Sequence, residues 1–262
     1  MTQKAQLISK IEMFGVSFDN YDFDDLLLFL DRSISERRPA YLLTCNVDHL
    51  VKLQQDDEFR RIYTKADAVV ADGMPVLWAS KLLRRPLKHK VSGSDLFDRL
   101  GKQLAERQYR LFFLGASDGI AAEAARRLRE RYPMIRIVGC YSPSYGFESN
   151  ELENVHIVNI LREAAPDILF VGVGAPKQEK WIYKYYQSYR IPISIGVGAT
   201  FDFLSGNVKR APRLLQRVGL EWFWRLCQEP RRLWRRYLVE DMLFVKMLLL
   251  ELAKRKGGGS NV

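Results

Sequence analysis

At 262 residues the chain suits one ordinary α/β domain with an appendage better than two full domains. Hydrophobic residues make up 47% and charged residues 27%, a globular composition that excludes disordered, fibrous and polytopic membrane classes. Lys and Arg number 41 against 31 Asp and Glu, and the resulting +10 calls for an anionic partner: nucleic acid, a membrane face or a phosphorylated substrate.

In chain order, short apolar runs alternate with longer stretches of helical period, the pattern of an α/β domain with a largely parallel sheet. Strands are predicted at Met13–Val16, Tyr41–Thr44, Ala68–Val70, Leu111–Leu114, Arg136–Cys140, Ile168–Val171 and Ser194–Val197. Helices are predicted at Asp22–Ile34, Val47–Gln54, Pro75–Leu83, Ser94–Arg107, Asp118–Tyr132, Asn150–Ala164 and Pro176–Gln187. Past Gly206 the strand-like runs stop. Residues 207–256 read as a basic helical appendage to a catalytic domain of residues 1–206, with a helix break at Glu229-Pro230, and 257–262 as a flexible tail. The appendage carries +8 of the charge and the rest of the chain only +2.

Cys45, Cys140 and Cys227 are odd in number and widely spaced, which suggests neither a disulfide framework nor a zinc site and fits a reducing cytosol. The opening residues hold no apolar run of signal-peptide form. Met242–Ala253 is too short, and too interrupted by Lys246 and Glu251, for a membrane span of ~20 residues.

Several polar residues fall just past predicted strands, where ligands bind in open α/β sheets. Thr44 and Asn46 follow one strand and Asp72 follows the next. Asp72, ahead of Gly73 and Pro75, also has the form of a helix N-cap. Three glycine turns lie along the same edge: Gly115–Gly119, Gly172–Gly174 leading to Gln178, and Gly196–Gly198 leading to Asp202. Such turns bring backbone N–H groups close to phosphate at a helix N-terminus and together suggest a nucleotide crevice. None matches G-x-G-x-x-G or the Walker pattern, which argues against a dinucleotide oxidoreductase, and a capping Asp118 accounts for the first turn nearly as well. Asp22-Phe23-Asp24 has the D-x-D form of a metal site in nucleotide-sugar enzymes. It opens an amphipathic stretch, where acidic residues complement the helix dipole, and is read as a helix start. His49, His89 and His156 share no ligand spacing, so no metal site is expected.

In the appendage, Arg225, Arg232 and Arg235 stand among other arginines and among Trp222, Trp224 and Trp234. Arg and Trp interleaved with leucines read as an amphipathic surface for an anionic membrane. No RNA- or DNA-binding motif accompanies the charge, and a basic membrane- or RNA-binding module is the non-enzymatic rival.

Taken in order, Thr44-x-Asn46, Val70 to Ser80, Val91-Ser92-Gly93-Ser94-Asp95-Leu96, Gly174 to Glu179 and Gly219-Leu220-Glu221-Trp222 resemble the WecG/TagA/CpsF family of bacterial glycosyltransferases over most of the chain. The resemblance implies a Rossmann-like sheet flanked by helices, a UDP-sugar donor, a polyprenyl-diphosphate-linked sugar acceptor and inverting transfer with neither metal nor resident cofactor. It implies work on the cytoplasmic face of the bacterial inner membrane as a peripheral protein. It places Asp72 at the catalytic base, Thr44 and Asn46 at acceptor- or sugar-contacting positions, and Gln178 and Asp202 at the donor. It also matches Arg225, Arg232 and Arg235 to arginines of an appendage that folds over the site. Lys90 stands where the family usually has Arg, keeping the charge but losing bidentate recognition of phosphate. Likeness to exopolysaccharide members makes UDP-glucose the first expectation for the donor, with UDP-N-acetylmannosamine or its uronate as alternatives.

Overall fold

Parallel pairing of six short apolar runs builds the centre of the protein, whose computed structural model describes residues 9–257. The chain opens with an antiparallel hairpin, β1 (Lys10–Met13) and β2 (Val16–Asp19), followed by α1 (Phe23–Glu36) and β3 (Ala40–Cys45). Two helices, α2 (Val47–Leu53) and α3 (Asp57–Thr64), precede β4 (Ala68–Ala71), α4 (Met74–Leu82) and α5 (Gly93–Glu106). Then come β5 (Arg110–Gly115), α6 (Ile120–Arg131), β6 (Arg136–Tyr141), α7 (Glu151–Ala164), β7 (Ile168–Gly172), α8 (Lys177–Tyr189), β8 (Ile193–Gly196) and α9 (Thr200–Ser205). The C-terminal part is helical: α10 (Arg213–Arg217), α11 (Glu221–Gln228), α12 (Pro230–Arg235), a π-type turn at Arg236–Glu240, and α13 (Met242–Gly257).

The sheet order is β4-β3-β8-β7-β5-β6, all parallel, with helices on both faces. Side-chain alternation divides each strand between two cores: Tyr41 and Leu43 of β3 join one, Leu42 the other. Because both faces are covered, β3 is buried throughout, which is why it reads as a continuous apolar run rather than an alternating one.

The sequence reading and the structure differ at several points. The strand expected at Met13–Val16 is instead the turn of the hairpin, with Phe14 and Gly15 both at positive φ. Helix α3 was not expected. The N-caps of α4 and α6 are Gly73 and Gly119, so neither Asp72 nor Asp118 serves as the expected cap. Asp22 does cap α1, accepting from the backbone N–H groups of Asp24 and Asp25, so the helix-start reading of the D-x-D stands. Helix α13 does not stay apart from the domain, since Phe244 is buried in one of its cores with its ring tilted against that of Phe14 at 5.3 Å. Gly257 closes α13 rather than opening a tail. Residues 258–262, and the opening residues read for a signal peptide, lie outside the described ones. Among the described residues no helix is long and apolar enough to cross a membrane.

Candidate active site

The carboxyl ends of β3, β4, β7 and β8 meet at one end of the sheet, and the residues singled out after those strands gather there. Three glycine turns stack backbone on backbone: a Cβ on Gly115 would lie 2.4 Å from the Gly172 carbonyl oxygen, and one on Gly172 would lie 2.7 Å from that of Gly198. Only glycine permits this approach. Gln178, at the start of α8, locks the last two turns together. Its Oε1 accepts from the Gly198 N–H (3.0 Å) and its Nε2 donates to Glu179 Oε1 (2.7 Å). The residue is buried, so its amide holds the shape of the crevice whatever else it touches.

On the neighbouring strands, Thr44 is buried with its hydroxyl donating to the Gly196 carbonyl (3.4 Å), which bridges β3 to β8. Asn46 caps α2 through its side-chain oxygen, which accepts from the His49 N–H (3.1 Å). Asp72 follows β4, its N–H donating to the Cys45 carbonyl (2.8 Å), and Gly73 turns the chain away at φ 101°. Burial pushes the Asp72 carboxyl up to about 6; the Lys90 cation and the Asn46 side chain oppose this, while Asp95 and Glu221 add to it. A carboxylate so placed is ionised near neutrality yet basic enough to accept a proton.

Lys90 reaches Asp95 at 3.0 Å and Glu221 at 3.3 Å, and Arg210 binds the same two carboxylates and Asp98. Burial would discharge Lys90, but Asp95, Glu221 and Asp72 hold its pKa above the ordinary value. Burial would likewise raise Asp95, but Lys90 and Arg210 hold it below the usual carboxylate range. This network ties α11, through Glu221, to the first turn of α5 and to the loop beside Asp72.

The expected arginines separate. Arg225 lies over the Phe203 ring at 5.4 Å, next to α9 and Asp202, while Asp202 accepts from the Asn207 amide (3.0 Å). Arg232 pairs with Glu229 and Arg235 with Glu240 (3.4 Å); both are exposed, and among the described residues neither pairs with Asp72, Asp95 or Asp202. The sequence reading missed Arg210 and Glu221 as the appendage's link to the site, although Glu221 lies inside a quoted motif. It also missed Glu179, buried, pushed up to about 7 by burial, with Oε2 lacking a hydrogen-bond partner among the described residues.

Residues 11–258 match the model of the Glycosyl transferase WecG/TagA/CpsF family. The chain belongs to this family. It is therefore a glycosyltransferase, built on a parallel α/β sheet as the resemblance implied. A Bacillus spizizenii relative is 33% identical over 223 residues, covering 85% of this chain and 84% of its own length. A relative from Bacillus subtilis strain 168 is 30% identical over 225 residues, or 86% and 85% of the two chains. One from Staphylococcus aureus strain MW2 is 27% identical over 253 residues, or 95% and 94%. All three bear the name N-acetylglucosaminyldiphosphoundecaprenol N-acetyl-beta-D-mannosaminyltransferase.

Proposed function

We propose that this glycosyltransferase moves N-acetylmannosamine from its UDP conjugate to an N-acetylglucosaminyl-diphosphate polyprenol, with inversion at the anomeric carbon. The shared name of the relatives supports this donor and acceptor, and it displaces the first expectation of UDP-glucose and an exopolysaccharide product. The observation that carries the chemistry is Asp72, a carboxylate at the carboxyl end of β4, at the same end of the sheet as the glycine turns, whose pKa burial raises against the opposing Lys90 cation.

In this reading the glycine turns cradle the UDP diphosphate through their N–H groups. Gln178 keeps the turns in register, and Asp202 and Arg225 flank the donor. Asp72 takes the proton from the acceptor hydroxyl as that oxygen attacks the anomeric carbon and UDP leaves from the opposite face. Thr44 and Asn46 line the approach. Charge building on the leaving diphosphate is met by backbone N–H groups and by Lys90, fixed in place before the reaction begins. We further propose transfer without a metal, at the cytoplasmic face of a membrane that the protein touches but does not span.

The test is a panel of UDP-sugars offered with a short-chain prenyl-diphosphate N-acetylglucosamine, with and without EDTA. The reading requires a β-linked N-acetylmannosaminyl product and turnover that survives EDTA. A glucosyl product would restore the earlier expectation, and loss of turnover in EDTA would reject the metal-free step.

A further inference from the structure

A cavity of about 590 Å³ shares none of the glycine-turn residues. It is bounded by α4, α5, the start of α1, the end of α6 and α10, and Lys90, which pairs with Asp95, is among its lining residues. Its size is that of a small-molecule site. Most of its charged groups are already matched: Lys88 with Asp25 (2.7 Å), Arg131 with Asp98 (2.7 Å), and Lys90 with Asp95. Three are not. Arg99, Arg213 and Arg217 line the cavity and make no hydrogen bond or ion pair among the described residues. Arg213 and Arg217 sit four apart on one face of α10, and Arg99 faces the cavity from α5, held only by the Phe23 ring at 5.7 Å. Three unmatched guanidinium groups converging on one cavity fit a compact polyanion, since guanidinium forks bind phosphate oxygens in pairs.

The cavity is also amphipathic. Met74 and Leu77 of α4 line it. On the same helix Trp78 and Leu82 are exposed, as are Leu214 on α10 and Val218 just past it. The two helices meet where Gly219 packs on Trp78 and Met74. A ligand with a diphosphate at one end and a hydrocarbon chain at the other would satisfy both features.

We infer that the cavity lined by Arg99, Arg213 and Arg217 holds the diphosphate of the polyprenyl-linked acceptor, with the hydrocarbon chain leaving over Trp78 and Leu82. This rests on the proposed function, which assigns the glycine turns to the donor and leaves a separate place for the acceptor. Lys90, facing both Asp72 and the cavity, marks where the two substrates meet. The arginines concerned are not those the family resemblance pointed to.

The test uses the full chain and the triple variant Arg99→Ala/Arg213→Ala/Arg217→Ala, three exposed positions whose substitution leaves the cores untouched. Binding of geranyl diphosphate, inorganic pyrophosphate and UDP is measured by calorimetry, and the KM for the prenyl-linked acceptor by turnover. The site predicts at least about a hundredfold weaker geranyl diphosphate binding, about tenfold for each guanidinium–phosphate pairing removed beyond the first, a comparable rise in acceptor KM, and UDP binding unchanged. Unchanged geranyl diphosphate binding overturns the inference, as does an equal loss of UDP binding, which would make this the donor site. A third arm uses vesicles containing phosphatidylglycerol: loss of vesicle binding with geranyl diphosphate binding intact would make the arginines a membrane contact and also overturn the site. If the wild-type chain transfers no sugar but the variant still loses geranyl diphosphate, the function reading fails and the site stands. If transfer occurs with acceptor KM unaltered, the site fails and the function stands.

Discussion

At the scale of single residues the chemistry turns on the surroundings of Asp72. If Asp72 is the base, as proposed, it must be ionised, so kcat/KM should fall as pH drops through about 6, the value to which burial raises it. The neighbouring charges then predict shifts of opposite sign. Glu221→Gln removes an anion that disfavours the Asp72 carboxylate, so the acid limb of the pH profile should move to lower pH. Lys90→Met removes the cation that favours it, so the limb should move to higher pH. Equal or same-direction shifts would show that some other group controls the limb. Asp72→Asn should lower kcat by about 10²–10⁴ with UDP affinity retained, the usual worth of a positioned base. Thr44, Asn46 and Asp72 stand out in the sequence as polar residues at the ends of apolar runs, although Thr44 lies within β3 and Asn46 also has a structural task as the N-cap of α2. Glu179 and Arg210 do not stand out. Nothing local distinguishes a carboxylate in the first turn of a helix from a solvated one, and the four-way network of Lys90, Asp95, Arg210 and Glu221 exists only once three distant segments are brought together.

At the scale of elements, the sheet was legible because both of its faces are buried. Every central strand is then a dense apolar run, and each expected strand from Tyr41–Thr44 onward corresponds to one in the structure. The hairpin was misplaced because its apolar residues Met13, Phe14 and Val16 straddle the turn, so the densest apolar stretch marks the reversal and not a strand. Helix α3 escaped notice because acidic and basic residues outnumber its apolar ones, although Phe59 and Ile62 are fully buried. The junction between α10 and α11 gives a prediction at this scale. Gly219 has φ +69°, and a Cβ there would come within 2.4 Å of the Trp78 ring and 2.9 Å of Met74. Gly219→Ala must therefore push α10 and α11 off α4. Glu221 then loses its hold on Lys90, and transfer should fall while the sheet, which Gly219 does not touch, keeps its melting temperature. A local penalty of about 1–2 kcal/mol would speed tryptic cleavage at the α10–α12 arginines by about tenfold. Unaltered cleavage with full activity would mean that α10 and α11 do not act as a closed cover.

At the scale of the whole molecule, two of the appendage's attachments to the domain differ in kind. The first is the charged network around Glu221. The second is α13, where Phe244 enters a core and Arg236, just before it, reaches the buried Asp48 at 3.4 Å. Burial would raise Asp48, but Arg236, then His49 and Lys52, keep it below its unperturbed 3.8. A depressed carboxylate contributes stability that is present above that value and lost as pH falls through the lower, folded one. Arg236→Met should therefore destabilise the protein by about 1–3 kcal/mol at pH 7, less than for a fully orphaned buried charge because Lys52 remains. In urea melts the deficit should shrink in acid, below the Asp48 titration; a deficit independent of pH would assign it to lost packing.

The same helix bears on the proposed membrane association. One side of α13 is committed to the core through Phe244, with Leu243, Met247, Leu248 and Leu252 packed against it, yet Val245, Leu249 and Leu250 stand exposed on the other. A helix apolar on both sides is stable in water only if its second side finds a partner. Trp234, Leu238 and Val239 extend that exposed apolar strip into the π-type turn and α12, beside Arg231, Arg232 and Arg235. Apolar side chains flanked by basic ones match the boundary between headgroups and acyl chains, so under the membrane association proposed above this strip is the face predicted to turn toward the bilayer. Arg232 and Arg235 pair with Glu229 and Glu240 and not with Asp72, and the same proposal gives them a role at the lipid surface rather than at the reacting diphosphate. Leu249→Glu/Leu250→Glu should reduce sedimentation with phosphatidylglycerol vesicles severalfold without altering UDP affinity, because neither side chain belongs to a core or to the crevice. Arg232→Ala/Arg235→Ala should instead flatten the salt dependence of vesicle binding, since each basic residue near anionic lipid contributes about 1 kcal/mol that ionic strength screens. Should the Leu249→Glu/Leu250→Glu chain sediment as well as wild type while the arginine variant loses all turnover on detergent-dispersed acceptor, the two surfaces would have to exchange roles: the arginines would belong to the active site, and the membrane would be met elsewhere.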